Sequence, residues 1–388
     1  MQNEGNKKAR VIAYYLPQFH PIPENDEWWG PGFTEWTNVA KAKPRFKGHV
    51  QPRIPADLGF YDLRLPETRE KQAELAKAAG IEGFCYYHYW FGNGKQLLER
   101  PFKEVVESGK PDFPFCLCWA NHSWGGATWT NASLKTEKKM FVEQQYLGAE
   151  DNEKHFYSLL SAFKDPRYIK VDGKLFFAIY DALGFVNVKE FINQWQALAK
   201  KEGLSGFHFV GAVMTPSYSE YIANGANRKA ADLVATKRVK EVFDLGFDAV
   251  ITDNRFRAEL LSRGTLNMVI RSVLSKWFHI ATVNKFNQEK INSNMYIKED
   301  EDEFVYPSIM PNWDRTPRSK SEALYVNSTP AVFGNTLKEL IKKISSKKTD
   351  HQIIILKSWN EWGEGNYVEP DLQYGHGYLD ALKEAIMK

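Results

Sequence analysis

The sequence has little of what would mark a disulfide-rich, membrane-spanning or secreted protein. Its three cysteines, Cys85, Cys116 and Cys118, lie in apolar runs, and their number and spacing fit no disulfide framework or zinc motif. No segment approaches the roughly 20 apolar residues that a membrane-spanning helix needs. The N-terminus is polar, and the apolar run at 11–16 is too short for the core of a signal peptide. We therefore expect buried free thiols, no transmembrane segment and a cytoplasmic location.

The excess of one sign of charge over the other is also small. The chain has 51 Lys and Arg against 48 Asp and Glu, a net charge of +3. This balance gives no reason to expect a nucleic-acid or membrane partner. No glycine-rich dinucleotide or phosphate motif follows the first apolar run, and the loops expected at the active site contain no Asp-X-Asp.

Metal ligands with a recognisable spacing are missing as well. His20, His88, His122 and Asp314 are suitable by residue type, but they show neither the i, i+4 nor the His-X-His spacing. We therefore expect that the protein uses no metal and no other cofactor.

Aromatic residues, in contrast, are abundant. There are 12 Trp, 18 Tyr and 25 Phe, and many stand beside Gly, Pro, Asn, Glu or His rather than in apolar runs. Aromatic rings in polar loops suit stacking against the C–H faces of sugars. The alternative is that these rings fill the core of a large barrel.

Short apolar runs alternate with longer segments of helical periodicity, which indicates a parallel sheet with helices outside it. Eight such units predict an α/β protein with a (β/α)8 TIM barrel and long loops at its carboxyl-terminal face. An open doubly wound sheet is the alternative, and the missing glycine-rich motif argues against it. The predicted strands are 10–16, 81–90, 114–119, 174–180, 207–214, 247–252, 304–310 and 352–358, and the main predicted helices are 66–79, 96–108, 138–163, 188–202, 335–345 and 378–387.

The chain shows no linker, internal repeat or low-complexity tract, so we expect residues 1–388 to form a single domain. Residues 1–9 are predicted to be a polar tail. The pattern is weakest over 215–300, which we interpret as an insertion or variable region.

The active site of such a barrel lies where the strands end. Five predicted strand ends carry aromatic residues mixed with polar ones, whereas the opposite ends carry ordinary Lys, Asp and Gly. We therefore predict that these ends bind the substrate. The candidates at the strand ends and in the loop after the first strand are Tyr15, Gln18, His20, Trp29, Glu35, Trp36, His88, Trp90, Trp119, Asn121, Trp124, Trp313, Asp314, Arg315, Asn360 and Trp362.

The most specific pattern follows the eighth strand, where Glu361 and Glu364 share a loop with two tryptophans and two glycines. A tight turn brings side chains at i and i+3 together. Cleavage of a glycosidic bond needs two carboxyl groups, one protonated and one ionised. We therefore predict that Glu361 and Glu364 are catalytic; two solvated loop glutamates are the alternative. With Trp359 and Trp362 limiting hydration, Glu364 is expected to hold the proton.

Two further groups have open interpretations. The loop 28–36 is dense in aromatic residues and predicts either a sugar subsite, with Glu35 accepting hydroxyl hydrogen bonds, or a loop that packs on itself. Asp314 and Arg315 predict either a sugar clamp or a structural ion pair.

Four segments carry a resemblance to a known family: 13–20 (AYYLPQFH), 29–36 (WGPGFTEW), 84–90 (FCYYHYW) and 359–365 (WNEWGEG). The chain resembles, from about residue 11 to 379, the WbsX-type glycosyltransferases of bacterial surface-polysaccharide loci. That family contains a domain similar to glycoside hydrolase family 99, the endo-α-mannosidase type.

The resemblance implies a metal-free (β/α)8 barrel that retains anomeric configuration. It implies that Glu361 is the base that assists attack by the sugar's own 2-hydroxyl, through an epoxide-like intermediate. Glu364 would then be the general acid and afterwards the base for water. The sequence departs from the hydrolases at Gly363, where they have His, which changes the contacts near the leaving group.

Three functions follow from these features. The leading hypothesis is a retaining glycosidase or transglycosidase that acts on an α-linked, mannose-like oligosaccharide or polysaccharide. The second is a nucleotide-sugar-dependent glycosyltransferase of O-antigen or capsule biosynthesis. The third is a non-catalytic carbohydrate-binding barrel, against which the presence of both glutamates argues.

Overall fold

Eight parallel strands form the centre of the protein in a computed structural model that describes residues 7–125, 140–214, 218–223, 227–263, 283–318 and 323–387. The strands are β1 (Arg10–Tyr15), β2 (Gly83–His88), β3 (Phe115–Trp119), β4 (Lys174–Ile179), β5 (Phe207–Met214), β6 (Ala249–Asp253), β7 (Val305–Ile309) and β8 (Ile353–Leu356).

The sheet closes on itself. Each strand pairs in parallel with the next along the chain, including β3 with β4. The barrel is closed by parallel pairing of β1 with β8, in which Ile12 lies opposite Ile355. An open doubly wound sheet would leave two edge strands, so that alternative is wrong and the predicted (β/α)8 barrel is confirmed.

Helices alternate with the strands and cover the outside of the barrel. They are Pro66–Ala78, Arg100–Ser108, Ala149–Ser158 with Leu160–Phe163, Val188–Lys201, Arg228–Asp244, Pro330–Ile344 and Gly377–Ile386. Shorter helices lie in the connections, at Pro23–Trp29, Glu35–Lys41, Tyr218–Ala223, Arg255–Arg263 and Gln288–Met295.

One predicted helix begins later than expected. The helical prediction for 138–163 holds only from Ala149, because Gly148 has a φ of 83°, a left-handed conformation that ends the extended segment before it. Within that segment, Met140–Val142 forms a short antiparallel pair with Trp124–Gly125.

The region interpreted as an insertion contributes to the barrel itself. Arg228–Asp244 is a barrel helix, and Ala249–Asp253, close to the strand predicted at 247–252, is β6. The excursion after β6 begins at helix Arg255–Arg263, and residues 264–282 lie outside the described residues. Of the predicted N-terminal tail, residues 7–9 lie against the C-terminus, where the Lys8 N–H donates to the Ile386 carbonyl (2.9 Å).

The loop between β1 and the helix Pro66–Ala78 folds over the carboxyl end of the barrel. The Glu35 N–H donates to the Gln18 carbonyl (3.0 Å), and Thr34 caps the helix that Glu35 begins. These bonds place the Glu35 side chain beneath the loop that follows β8.

The three cysteines are buried and free, as predicted. Among the described residues, no helix combines the length and apolar character needed to cross a membrane.

Candidate active site

A cavity of about 330 Å³ lies at the carboxyl ends of the strands, where the barrel rule places it. Six of the predicted site residues line it: Gln18, Trp124, Trp313, Arg315, Glu361 and Glu364.

The loop after β8 carries both glutamates into this cavity. Two short antiparallel strands form this loop, in which Asn360 pairs with Tyr367 and Glu361 pairs with Asn366. A single 3-10 turn, Trp362–Glu364, joins them. Gly365 closes the turn with a φ of 60°, which favours glycine. Asn360 lies beneath the cavity rather than in it, because its side chain accepts from the Leu16 N–H (2.8 Å) and fastens the loop to the end of β1.

Arg318 links the acidic groups of the site. Its Nη1 lies 2.6 Å from Glu364 Oε1 and 3.6 Å from Glu361 Oε1, and its Nη2 lies 2.9 Å from Glu35 Oε1. Because both catalytic candidates contact one nitrogen, their two oxygens are at most about 6.2 Å apart, the sum of the two distances. Inverting glycosidases separate their carboxyl groups by roughly 6.5–9.5 Å to admit a water, and this upper bound lies just below that range.

The two glutamates are driven to opposite protonation states. Burial and the neighbouring Glu364 charge raise the pKa of Glu361 to about 8. Burial also acts to raise the pKa of Glu364, but Arg315, 3.0 Å away, and Arg318 outweigh it and lower that pKa to about 2. At neutral pH Glu361 therefore holds the proton and Glu364 is ionised. This assignment is the reverse of the predicted one, in which Glu364 holds the proton and Glu361 is ionised.

The tryptophans do not shield Glu364 as expected. The Trp362 ring stacks on Tyr367 with centroids 3.7 Å apart, and its Nε1 donates to the buried Glu369 (2.6 Å). Trp359 packs on Phe84, also below the cavity. The environment of Glu364 is set instead by arginines from the loop after β7, which the local sequence does not reveal.

Gly363 and Glu35 occupy the same space. A Cβ atom at position 363 would overlap Glu35 Oε1 and come within 3.0 Å of Arg318 Nε. Glu35 is fully buried, and Arg318 partly offsets the rise in its pKa that burial causes. Glu35 is thus a partner of Arg318 rather than a cavity residue, and the glycine gives its carboxylate room to reach that arginine.

A second buried ion pair lies below the cavity. Lys357, which follows β8, contacts Asp253 at the end of β6, and its Nζ lies 5.9 Å from the centroid of the Tyr180 ring. Asp253 also accepts from the Arg255 N–H (3.1 Å). The pair holds the Lys357 ammonium at the cavity wall, where its charge helps to keep Glu364 ionised.

Several predicted binding residues face away from the cavity. The Tyr15 hydroxyl donates to Gln72 of the helix Pro66–Ala78 (2.7 Å). His88 Nε2 lies 2.8 Å from His155 Nε2, and burial lowers the pKa of His88 to about 3. These side chains fill the space between the barrel and its helices, so their predicted place in the cavity is wrong.

The ring of Trp90 stacks on His155 with an interplanar angle of 3°, and Trp119 packs between His155 and Phe191. Asn121 donates to the Asp181 carbonyl (2.9 Å) and accepts from the Asp181 N–H (2.7 Å). Trp90, Trp119 and Asn121 thus fix the loops after β2 and β3 and do not line the cavity.

The aromatic residues of the loop after β1 pack on one another and on neighbouring segments of the chain. Trp36 donates to the Tyr61 carbonyl (2.8 Å) and is 8% exposed, so it belongs to the core rather than to a sugar subsite. His20 is buried as well, which lowers its pKa to about 4. Trp29 is only partly buried and meets Phe141 edge-on (5.1 Å), outside the cavity.

Asp314 and Arg315 do not form a pair. Asp314 is fully buried and accepts hydrogen bonds from Gln51 and Thr316 beside His49, and its pKa is lowered to about 2 although burial opposes this. Arg315 turns the other way, to Glu364. Asp314 thus stabilises the structure outside the cavity, and Arg315 lines the cavity.

Other residues of the cavity wall were not among the predicted candidates. The main ones are Tyr87, Tyr89, His122, Ser123, Tyr180, Arg255, Arg318 and Lys357. Alternation along a strand would have separated Tyr87 and Tyr89 from His88 and Trp90, once one inward position was known. Arg318 has no such local signal, since its partner Glu35 lies 283 positions away.

Within the described part of the chain, no group of three or more His, Cys, Asp or Glu is arranged to hold a metal ion.

Solved structures of glycoside hydrolase-like proteins share this (β/α)8 barrel fold. A solved structure described as a glycoside hydrolase-like protein matches with a TM-score of 0.60 at 14% identity, over 99% of this chain and 96% of that chain. The GH99 endo-alpha-mannosidase from Bacteroides thetaiotaomicron matches with a TM-score of 0.52 at 14% identity, over 97% and 96%. At this identity the likeness is one of fold.

The family described as glycosyltransferase WbsX matches residues 11–382, and the chain belongs to this family, as the resemblance predicted. Two proteins named "Uncharacterized protein WxcX", from two strains of Xanthomonas campestris pv. campestris, are 31% identical over 382 residues. These matches cover 98% of the chain but 50% of each relative, so the chain spans about half the length of the curated relatives it matches.

Proposed function

We propose that this chain breaks and re-forms glycosidic bonds of an α-linked, mannose-like glycan by a retaining mechanism that uses Glu361 and Glu364. The observation that carries the proposal is the opposite shift of two carboxyl pKa values within one cavity, to about 8 for Glu361 and about 2 for Glu364. Pairs of carboxyl groups whose environments separate their pKa values are typical of glycoside chemistry. The assignment to mannose rests on the fold shared with an endo-alpha-mannosidase.

The roles differ from those that the resemblance implies. Glu361 donates its proton to the glycosidic oxygen as the bond to the anomeric carbon breaks, and it becomes a carboxylate. Glu364 is ionised throughout. Its carboxylate stabilises the positive charge that develops at that carbon, either by electrostatic attraction or by forming a covalent bond to the carbon. In the second half, an acceptor hydroxyl gives its proton to Glu361 and attacks the same carbon. Water as acceptor gives hydrolysis, and a sugar hydroxyl gives transfer.

A nucleotide-sugar-dependent glycosyltransferase is the second candidate. The observation that favours it is the number of cations at the cavity, where Arg255, Arg315, Arg318 and Lys357 would suit a diphosphate leaving group.

The two glutamates can be tested separately by their dependence on the leaving group. On a natural mannan oligosaccharide, Glu361→Gln and Glu364→Gln should each lower kcat by roughly 10²–10⁴-fold. On a dinitrophenyl α-mannobioside, whose leaving group needs no proton, Glu361→Gln should lose little in the first step, whereas Glu364→Gln should remain severely impaired. Glu67→Gln, on the exposed start of a barrel helix, is the matched control and should behave as wild type.

Wild-type turnover in both active-site variants would refute a two-carboxylate mechanism. The reverse asymmetry, with Glu364→Gln rescued by the good leaving group, would instead restore the roles that the family resemblance implies.

A further inference from the structure

Among the described residues, four cationic side chains line the cavity: Arg255, Arg315, Arg318 and Lys357. Lys357 is paired with Asp253, while Arg315 and Arg318 share Glu364. Arg318 is also paired with Glu35, which lies outside the cavity. These contacts account for three of the four cations that line the cavity in the described part of the chain.

Arg255 is the fourth cation, and its guanidinium has no carboxylate within ion-pair distance among the described residues. Its position is nevertheless fixed. The residue begins the helix after β6, its N–H donates to Asp253 (3.1 Å), and its guanidinium carbon lies 3.8 Å from the centroid of the Trp313 ring. Stacking on an indole orients the plane of an arginine without using its N–H donors.

The acidic residue one turn along the same helix interacts favourably with this arginine through its charge, but its hydrogen bond goes to another group. Glu259 accepts a hydrogen bond from the Tyr325 hydroxyl (2.8 Å), and burial raises the pKa of Glu259 although Arg255 opposes that rise. Arg255 is partly buried and lines the cavity, so its N–H donors are available to a ligand that displaces water.

We infer that Arg255, held by Trp313 and Asp253 and supported by Arg315, binds an anionic group of the substrate, so that the preferred substrate carries a carboxylate or a phosphate beside the bond that reacts. The planar fork of an arginine suits either group, since both accept two parallel N–H hydrogen bonds. This inference rests on the proposed function, because it assigns the substrate class of the same cavity.

Two sources of such an anion can be distinguished. A uronic acid carries the carboxylate on the sugar itself, whereas a nucleotide sugar carries a diphosphate on the leaving side. Both are recognised by the same N–H donors, but a uronate presents one charge and inorganic pyrophosphate presents several.

The test is direct binding by calorimetry at constant ionic strength, with mannuronate, inorganic pyrophosphate and neutral mannose as probes. Arg255→Gln should weaken binding of the anionic probe by roughly 10- to 100-fold and leave mannose unchanged. Arg263→Gln is the matched control, since Arg263 lies on the same helix and also stacks on an aromatic ring, Phe286 (4.1 Å), but lies outside the cavity. That variant should bind all three probes as wild type does.

Binding of mannuronate that depends on Arg255 identifies an acidic glycan, and binding of pyrophosphate that depends on Arg255 identifies a nucleotide-diphosphate donor. If neither anion binds more tightly than mannose, or if Arg255→Gln binds both anions as wild type does, the inference is wrong. The Glu361→Gln variant separates this result from the proposed function: it should lose turnover on the natural glycan yet keep the anion affinity.

Discussion

At the strand ends, the residues that face the cavity differ in chemistry from the residues that face the surrounding helices. At the end of β2, Tyr87 and Tyr89 line the cavity with the charged groups, whereas His88 and Trp90 pack outward around His155. The inner side keeps charges close to one another and open to a ligand. The outer side buries neutral rings and uses hydrogen bonds only to satisfy them.

This contrast shows that aromatic and polar residues at a barrel rim are not by themselves a sign of binding. Mutations on the outer side should act on the free energy of unfolding, and mutations on the inner side should act on the substrate. Each of the following measurements can break that separation.

The largest effect is expected from a pair of tryptophans. Trp119 is 2% exposed and enclosed by rings, so Trp119→Ala should lower the free energy of unfolding by roughly 3–5 kcal/mol. Trp124 lies partly buried on the cavity wall, so Trp124→Ala should cost less stability and weaken glycan binding more. Urea unfolding and calorimetric binding of both variants check this. A stable Trp119→Ala that fails to bind would place Trp119 in the binding site after all.

An intermediate effect on the free energy of unfolding is expected at acidic pH, from the buried histidines that face the helices. The pKa of His88 is lowered to about 3 by burial, while that of an unfolded histidine is near 6.5. The unfolded state therefore binds the proton first, and stability should be complete above pH 6.5 and fall as the pH drops below it. For His88 the loss reaches about 2 kcal/mol at pH 5. In the double variant His88→Phe/His155→Phe, unfolding free energies measured at pH 7 and pH 5 should differ less than in wild type. An unchanged difference would contradict the burial of neutral histidines.

The smallest effect is expected on turnover at alkaline pH, from the two glutamates that face the cavity. Glu361 must hold its proton, so kcat/KM on the natural glycan should fall about tenfold per pH unit above about 8. Glu364 ionises near 2, so it should give no acidic limb while the protein is folded. Arg315→Gln removes a charge that lowers the pKa of Glu364, and an acidic limb should then move toward neutral pH. A rate that rises through pH 8 in the wild type would show that ionised Glu361 is the active form.

The sequence was informative about the backbone and less so about the side chains. All eight predicted strands are present, and the pair Glu361 and Glu364 lies in one cavity as the spacing implied. Trp36, Trp119 and Asp314 were assigned to the site and lie outside it. A strand buried on both faces has no polar side, so its sequence does not indicate which residues face inward.

The sequence by itself therefore determined the alternation of strands and helices, the end of the barrel that holds the site, and the loop that carries both glutamates. The tertiary structure decided which glutamate keeps the proton. That choice depends on Arg315 and Arg318, which approach from the loop after β7, and on Glu35, which reaches Arg318 only because Gly363 leaves room. Electrostatic energy depends on distances of a few ångströms between residues that are remote in the chain, and the order of residues does not contain those distances.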